Sequence, residues 1–204
     1  DLPTTVSVFG NSFQYVFDRQ NGAFRDMVVN GQPRLQRGPA LNVWRTSIMN
    51  EWSEWGVQES KVWYDLGLDQ LLHSVERLEI LPADNKKSVQ VKFWLHSKSA
   101  IEPIVQFEHE MNYTIHGCGA VTLDHHVLTF VEFPDYPSRD MAWLPKLGLQ
   151  FRLPKQTETL TWFGRGPQET YPDRKTNAKI GLYQQAIDEI EIPYIIPQDF
   201  CNHT

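Results

Sequence analysis

Apolar and polar side chains alternate along most of this chain with the two-residue period of strands that bury one face. Val89, Val91, Phe93 and Leu95 alternate with Gln90, Lys92 and Trp94. Val105, Phe107 and His109 alternate in the same way with Gln106, Glu108 and Glu110. Val121, Leu123 and His125 open a strand that runs to Val131, and Leu147, Leu149, Phe151 and Leu153 mark another. Nearer the start, Ser12–Asp18 and Phe24–Val29 flank Asn21-Gly22, and Asn30-Gly31 follows. Asn-Gly between apolar runs is a hairpin signal, because both residues tolerate the positive φ that tight hairpin turns need. Strands separated by turns in this manner predict an all-β chain folded as a large antiparallel β-sandwich.

One stretch departs from the period. Leu68, Leu71, Leu72, Val75 and Leu78 fit the spacing of a helix face, and periodicity alone predicts a helix over 67–79. Pro82–Lys87 reads as a polar turn and Pro134–Pro145 as a loop, from their prolines and short polar side chains. Neither has the composition of a linker, so residues 1–204 are expected to form a single domain.

Residues 162–174, Trp-Phe-Gly-Arg-Gly-Pro-Gln-Glu-Thr-Tyr-Pro-Asp-Arg, hold aromatic and charged groups on a frame of glycine and proline. Gly164 and Gly166 permit backbone angles that side chains forbid, and Pro167 fixes a turn. Tyr171, Asp173 and Arg174 complete what reads as a structural corner after a strand.

This segment resembles the W(Y/F)GRGPxExYPDRK run of the large β-galactosidases of glycoside hydrolase family 2. Four more segments are similar in the same order: Leu41–Arg45 (LNVWR), Trp63–Leu71 (WYDLGLDQL), Leu144–Leu149 (LPKLGL) and Pro193–Gln198 (PYIIPQ). The resemblance implies the first part of the family's C-terminal β-sandwich, its small-chain region or domain 5. That fold is a supersandwich of the galactose mutarotase type. It also implies a short helical turn near Val62–Leu66 followed by a strand, against the helix over 67–79, and the strand is the reading adopted. By the same resemblance the catalytic barrel lies upstream, outside this sequence, and the sandwich continues past Thr204. Any Mg and Na of the parent reaction would sit in that barrel, leaving no cofactor and no catalytic residue in this segment. The implied partners are the barrel, in the same or a companion chain, and a carbohydrate substrate; a homo-oligomer is compatible with either arrangement.

Composition narrows the alternatives. Apolar residues make up 41% of the 204 and charged residues 22%, enough for a sizeable core. A net charge of −6 argues against a nucleic-acid surface, which needs a basic footprint. No apolar run is long enough for a transmembrane helix, so no membrane partner is expected. The compartment is left between cytoplasm and periplasm. Cys118 and Cys201 define no disulfide framework. Two acceptor patterns, Asn112-Tyr113-Thr114 and Asn202-His203-Thr204, are too common to place the protein. Adjacent His125 and His126 point to opposite faces of a strand, His109 points away from Glu108 and Glu110, and no spacing supplies a metal site. These histidines read as hydrogen-bonded strand residues.

For sugar chemistry the attractive group is Asn50, Glu51, Trp52 and Trp55, since indole faces pack on sugar rings and carboxylates bond to hydroxyls. The resemblance puts this loop at the rim of the barrel's active-site mouth, where the family reads APTDND after its LN(L/V)WR. Here Thr46–Glu51 departs from that run, with Met49 and Glu51 in place of aspartates. Asp199–His203 departs from the family's ENGNR, and Thr170 stands where Asn is frequent. Both departures fall on loops expected near the mouth, which implies an altered substrate pocket. Two other readings are a free-standing carbohydrate-binding module and an aldose-epimerase-like enzyme on the same type of fold. The epimerase chemistry would need a convergent Glu and His pair.

Overall fold

The computed structural model describes residues 4–52, 59–82, 87–130, 144–171, 173–195 and 200–203. Among these, strands hold 55% and helices 8%, which makes the fold all-β. The chain divides into two compact units, Asp1–Trp44 with Lys61–Pro154, and Arg45–Ser60 with Lys155–Thr204.

The first unit is a sandwich. In chain order it has β1 (Thr5–Phe9), β2 (Phe13–Asp18), β3 (Phe24–Val29), β4 (Gln32–Leu35), β5 (Arg37–Asn42), all but the first two residues of helix α1 (Glu59–Asp65), β6 (Leu71–Pro82), β7 (Ser88–Ser99), β8 (Gln106–His116), β9 (Val121–Phe130) and β10 (Gly148–Arg152). One sheet runs β1-β2-β3-β5-β10 with β4 paired to β3; the other is the meander β6-β7-β8-β9. Every pairing is antiparallel. The predicted hairpins form where the sequence put them. Asn30 and Gly31 both take positive φ, 52° and 74°, the geometry that lets two residues turn β3 into β4.

Strand alternation builds the core. Val91, Phe93 and Leu95 of β7 and Met111, Tyr113 and Ile115 of β8 are buried against Val6, Phe13, Tyr15, Phe17 and Phe24 of the first sheet. Phe17 lies 4.9 Å from the Tyr113 ring and 5.7 Å from Phe93, centroid to centroid. Two phenols find backbone acceptors across the core: Tyr15 donates to the Gly119 carbonyl at 2.5 Å and Tyr113 to that of Gly22 at 3.3 Å. Burial raises the pKa of both. A second cluster joins Leu41 and Val43 to Trp63, Leu66 and Leu68 and to Val105 and Phe107, so α1 and the turn after it close one end of the sandwich.

The helix over 67–79 does not form. Residues 71–82 are strand β6, and α1 lies just before it. A bulge between Val75 and Arg77 explains the helical spacing. The extra residue, Glu76, shifts the alternation by one, so Leu71 and Val75 face inward before the bulge and Leu78 after it. An i, i+4, i+7 pattern in a strand is what such an insertion produces.

The second unit contains the hairpin β11 (Thr159–Gly166) and β12 (Lys179–Ala186) and two single 3-10 turns, Met49–Glu51 and Ile187–Glu189. One face of the hairpin carries Trp162 and Tyr183, 5.6 Å apart. The other leaves Phe163, Ile180 and Leu182 mostly exposed. Most of Pro134–Pro145 and of Pro82–Lys87 lies outside the described residues.

Candidate functional site

The loop that holds the rim candidates Asn50, Glu51 and Trp52 is built around one ion pair. Arg45 meets Glu51 through both guanidinium nitrogens, Nη1 to Oε2 at 2.8 Å and Nη2 to Oε1 at 2.6 Å. Such a two-point pair fixes geometry as well as charge. The Ile48 amide donates to Glu51 Oε2 at 2.9 Å, and Arg45 also donates to the Thr46 carbonyl at 3.1 Å. The carboxylate therefore holds the 3-10 turn that contains it, with side-chain exposures of 10% and 15% for the pair. Burial, then the Glu51 charge, raises the pKa of Glu59, and Arg45 opposes the rise.

With Glu51 turned inward, the loop shows other groups outward. Trp52 is 63% exposed and Met49 45%. Asn50 Nδ2 donates to Asp173 Oδ2 at 2.8 Å, which joins this loop to the end of the 162–174 motif. Ile48, Met49, Asn50, Asp173 and Arg174 line a small cleft of about 210 Å³. Trp55, the remaining rim candidate, lies outside the described residues.

The motif itself is tied down from several sides. Trp162 Nε1 donates to the Arg165 carbonyl at 3.0 Å, and Arg165 Nη1 to the Ala178 carbonyl at 3.0 Å. The Trp162 ring packs on His203 at 4.2 Å. Glu169 accepts from the Tyr194 hydroxyl and from the Cys201 amide, the latter at 3.0 Å, and lies 3.7 Å from Arg174. Thr170 and Tyr171 are fully buried, and the Arg174 guanidinium sits 4.9 Å over the Tyr171 ring. Pro167 follows Gly166 at the end of β11.

The glycines of this motif need a correction. Neither Gly164 nor Gly166 has positive φ; both sit within strand β11. Space is what matters at Gly166, where a Cβ would stand 2.7 Å from Tyr183 Cδ2 and 3.1 Å from Trp162 Cζ2. At Gly164 the nearest atom would be Trp162 Cδ1 at 3.5 Å, an ordinary contact.

The four-stranded sheet of the first unit holds a polar row that sequence reading did not assemble. Ser97 Oγ lies 2.7 Å from His73 Nδ1 and 2.7 Å from His109 Nε2, and His109 Nδ1 lies 3.0 Å from His125 Nε2. Burial, reinforced by His125, His73 and His96, lowers the pKa of His109 to about 3. Burial also lowers His73, helped by Arg37, and His125, helped by His126. Alternation placed His109 and His125 on strands; the register of four strands, with His73 directly opposite Ser97 and the later contacts diagonal, brings them together with His73. Among the described residues no group of three His, Cys, Asp or Glu side chains is arranged to hold a metal ion.

The family model described as "Beta galactosidase small chain" matches residues 9–204. A β-galactosidase of Vibrio cholerae is 29% identical over 192 residues, which cover 91% of this chain and 18% of that protein. A β-galactosidase of Priestia megaterium is 27% identical over 200 residues, 98% of this chain and 18% of the relative. One from Kluyveromyces lactis is 27% identical over 206 residues, with shares of 98% and 18%. The chain thus spans about 18% of the length of the relatives it matches.

Proposed function

The chain belongs to the β-galactosidase small-chain family, and from that premise we propose that it is the non-catalytic β-sandwich of a family 2 glycoside hydrolase. In this reading it braces a catalytic barrel and forms part of the carbohydrate-site rim. The parent reaction is hydrolysis of terminal β-galactosides, carried out by carboxylates of the barrel, and any metal of that reaction belongs there too. The observation that carries the reading is the match over 9–204 within a small share of much longer β-galactosidases.

The loop geometry fits a supporting role. A retaining or inverting glycosidase needs two carboxyl groups free to act across a glycosidic bond. Glu51 is occupied by Arg45 and the Ile48 amide, and Asp173 by Asn50. These carboxylates hold loops in place, and the groups turned outward are an indole, a thioether and an amide. Trp52 can pack on a sugar ring and Asn50 can bond to a hydroxyl, which are contacts of a rim. The exposed Phe163, Ile180 and Leu182 give the hairpin an apolar face for further protein to cover.

The test is reconstitution. The purified chain alone should leave nitrophenyl β-galactoside intact, and joining it to a barrel-bearing polypeptide from the same reading frame or its neighbour should give turnover. Turnover by the chain alone, abolished by a substitution within it, would overturn the assignment.

A further inference from the structure

A larger cavity, about 540 Å³, lies in the first unit, among β5, β10 and the turn into β6. Its polar wall holds Arg37, Arg152, His73, Asp69, Asn42 and Gln150. The two arginines are register partners in the β5–β10 pair. Residues directly opposite in an antiparallel pair project from the same side of the sheet, and like charges so placed repel. Among the described residues neither guanidinium has a carboxylate within ion-pair distance. The neighbouring His73 imidazole has its pKa lowered by burial and then by the positive charge of Arg37.

The backbone keeps the two arginines close. Gly38 follows Arg37 with φ of 98°, and a Cβ there would fall 2.6 Å from the Gln150 carbonyl oxygen. Only glycine allows β5 to approach β10 in this way. The cavity lies in the size range of small-molecule sites, and its floor includes Leu41 and Leu68, both buried.

We infer that this cavity binds a small hydroxylated anion, with its carboxylate or phosphate between Arg37 and Arg152 and a hydroxyl donating to Asp69. Two forked guanidiniums suit either anionic group, since each offers paired N–H donors. Asp69, which lines the same cavity, would repel a bare anion and accept from an alcohol, so the site selects a sugar acid or sugar phosphate over inorganic phosphate. The inference stands apart from the galactosidase reading: it uses none of the rim residues, and its test uses no galactoside.

The experiment is isothermal titration of the full chain with glucuronate, glucose 6-phosphate, glucose and inorganic phosphate. Both hydroxylated anions should bind at least about tenfold more tightly than glucose or inorganic phosphate, and the tighter of the two identifies the anionic group. Arg37→Gln and Arg152→Gln should each weaken them by about tenfold, with Arg37→Lys restoring part of the loss. Both side chains are exposed, so the fold should survive. Asp69→Asn should weaken the hydroxylated anions and leave inorganic phosphate unchanged or tighter. No binding up to about 10 mM, equal binding of glucose, or wild-type binding by both arginine variants overturns the proposal. Inorganic phosphate binding as tightly as glucose 6-phosphate overturns the assignment of ligand class.

Discussion

Replacing Gly166 by alanine should separate a packing demand from a backbone demand. Because φ is ordinary at both Gly164 and Gly166, alanine meets no forbidden backbone at either. The two sites differ in what the new methyl touches. At Gly166 it overlaps the Tyr183 ring, with Cδ2 at 2.7 Å and Cε2 at 3.0 Å, and presses on Trp162 at 3.1 Å. That ring cannot swing away freely, because its hydroxyl donates to the Lys179 carbonyl at 2.9 Å and its face packs on Trp162. Overpacking of this kind costs about 1–3 kcal/mol. At Gly164 the methyl finds ordinary contact at 3.5 Å, and alanine restricts the unfolded chain, which stabilises by about 0.4–1 kcal/mol. The two variants should therefore shift stability in opposite directions, by about 2–4 °C in Tm per kcal/mol for a chain this size. Urea unfolding of both variants, followed by tryptophan fluorescence, measures the difference. A double variant, Gly166→Ala with Tyr183→Ala, should cost less than the sum of the single changes, since the clash is gone. If Gly166→Ala is as stable as the parent, or if Gly164→Ala is the worse of the two, the steric argument is refuted.

Three further outcomes are expected. Glu51→Gln removes the charge from a pair with little exposure and weakens three hydrogen bonds, so it should cost about 1–3 kcal/mol and raise hydrogen exchange at the Ile48 and Glu51 amides. His109 gains a proton near pH 3 in the folded state and near 6.5 when unfolded, so between those values the unfolded state binds the extra proton. Stability is full above pH 6.5 and falls on acidification by up to about 1.4 kcal/mol per pH unit; His109→Gln should flatten that slope in denaturation measured from pH 7 to 4. In an active full-length enzyme, Trp52→Ala should raise KM or alter substrate preference by roughly tenfold, and unchanged steady-state kinetics would remove this indole from the sugar rim.

Much of the sandwich was legible because its strands obey a period of two. Phe13–Asp18 and Phe24–Val29 came out where the Asn-Gly turn and the alternation placed them. β6 was misleading on periodicity alone, because a bulge changes the phase of a strand without changing its composition. At the candidate site, residue type drew attention to the loop, but long-range geometry decided what each side chain does. Glu51 looked like a sugar ligand until Arg45 took both oxygens. Asn50 and Asp173 meet although they lie 123 residues apart, and no local signal reports that. Gly166 is fixed by the ring of Tyr183 on the facing strand, so the need for glycine is written in β12 and not in the motif. The His73–Ser97–His109–His125 row escaped notice because the pairing register of four strands, not spacing, sets which residues lie opposite or diagonally adjacent.

That row also imposes a rule on hydrogen placement. A serine hydroxyl has one hydrogen, so Ser97 donates to one imidazole and accepts from the other. If His73 Nδ1–H points to Ser97, then Ser97 donates to His109 Nε2, and His109 donates through Nδ1 to His125. Reverse one bond and all reverse. The three neutral rings are then either all Nδ1–H tautomers or all Nε2–H tautomers. A charge brought near His73 would choose between these states, and His125, three strands over, would change tautomer with it. Ring ¹⁵N shifts of the two histidines should therefore move in concert, as a single two-valued variable stored in the orientation of one hydroxyl.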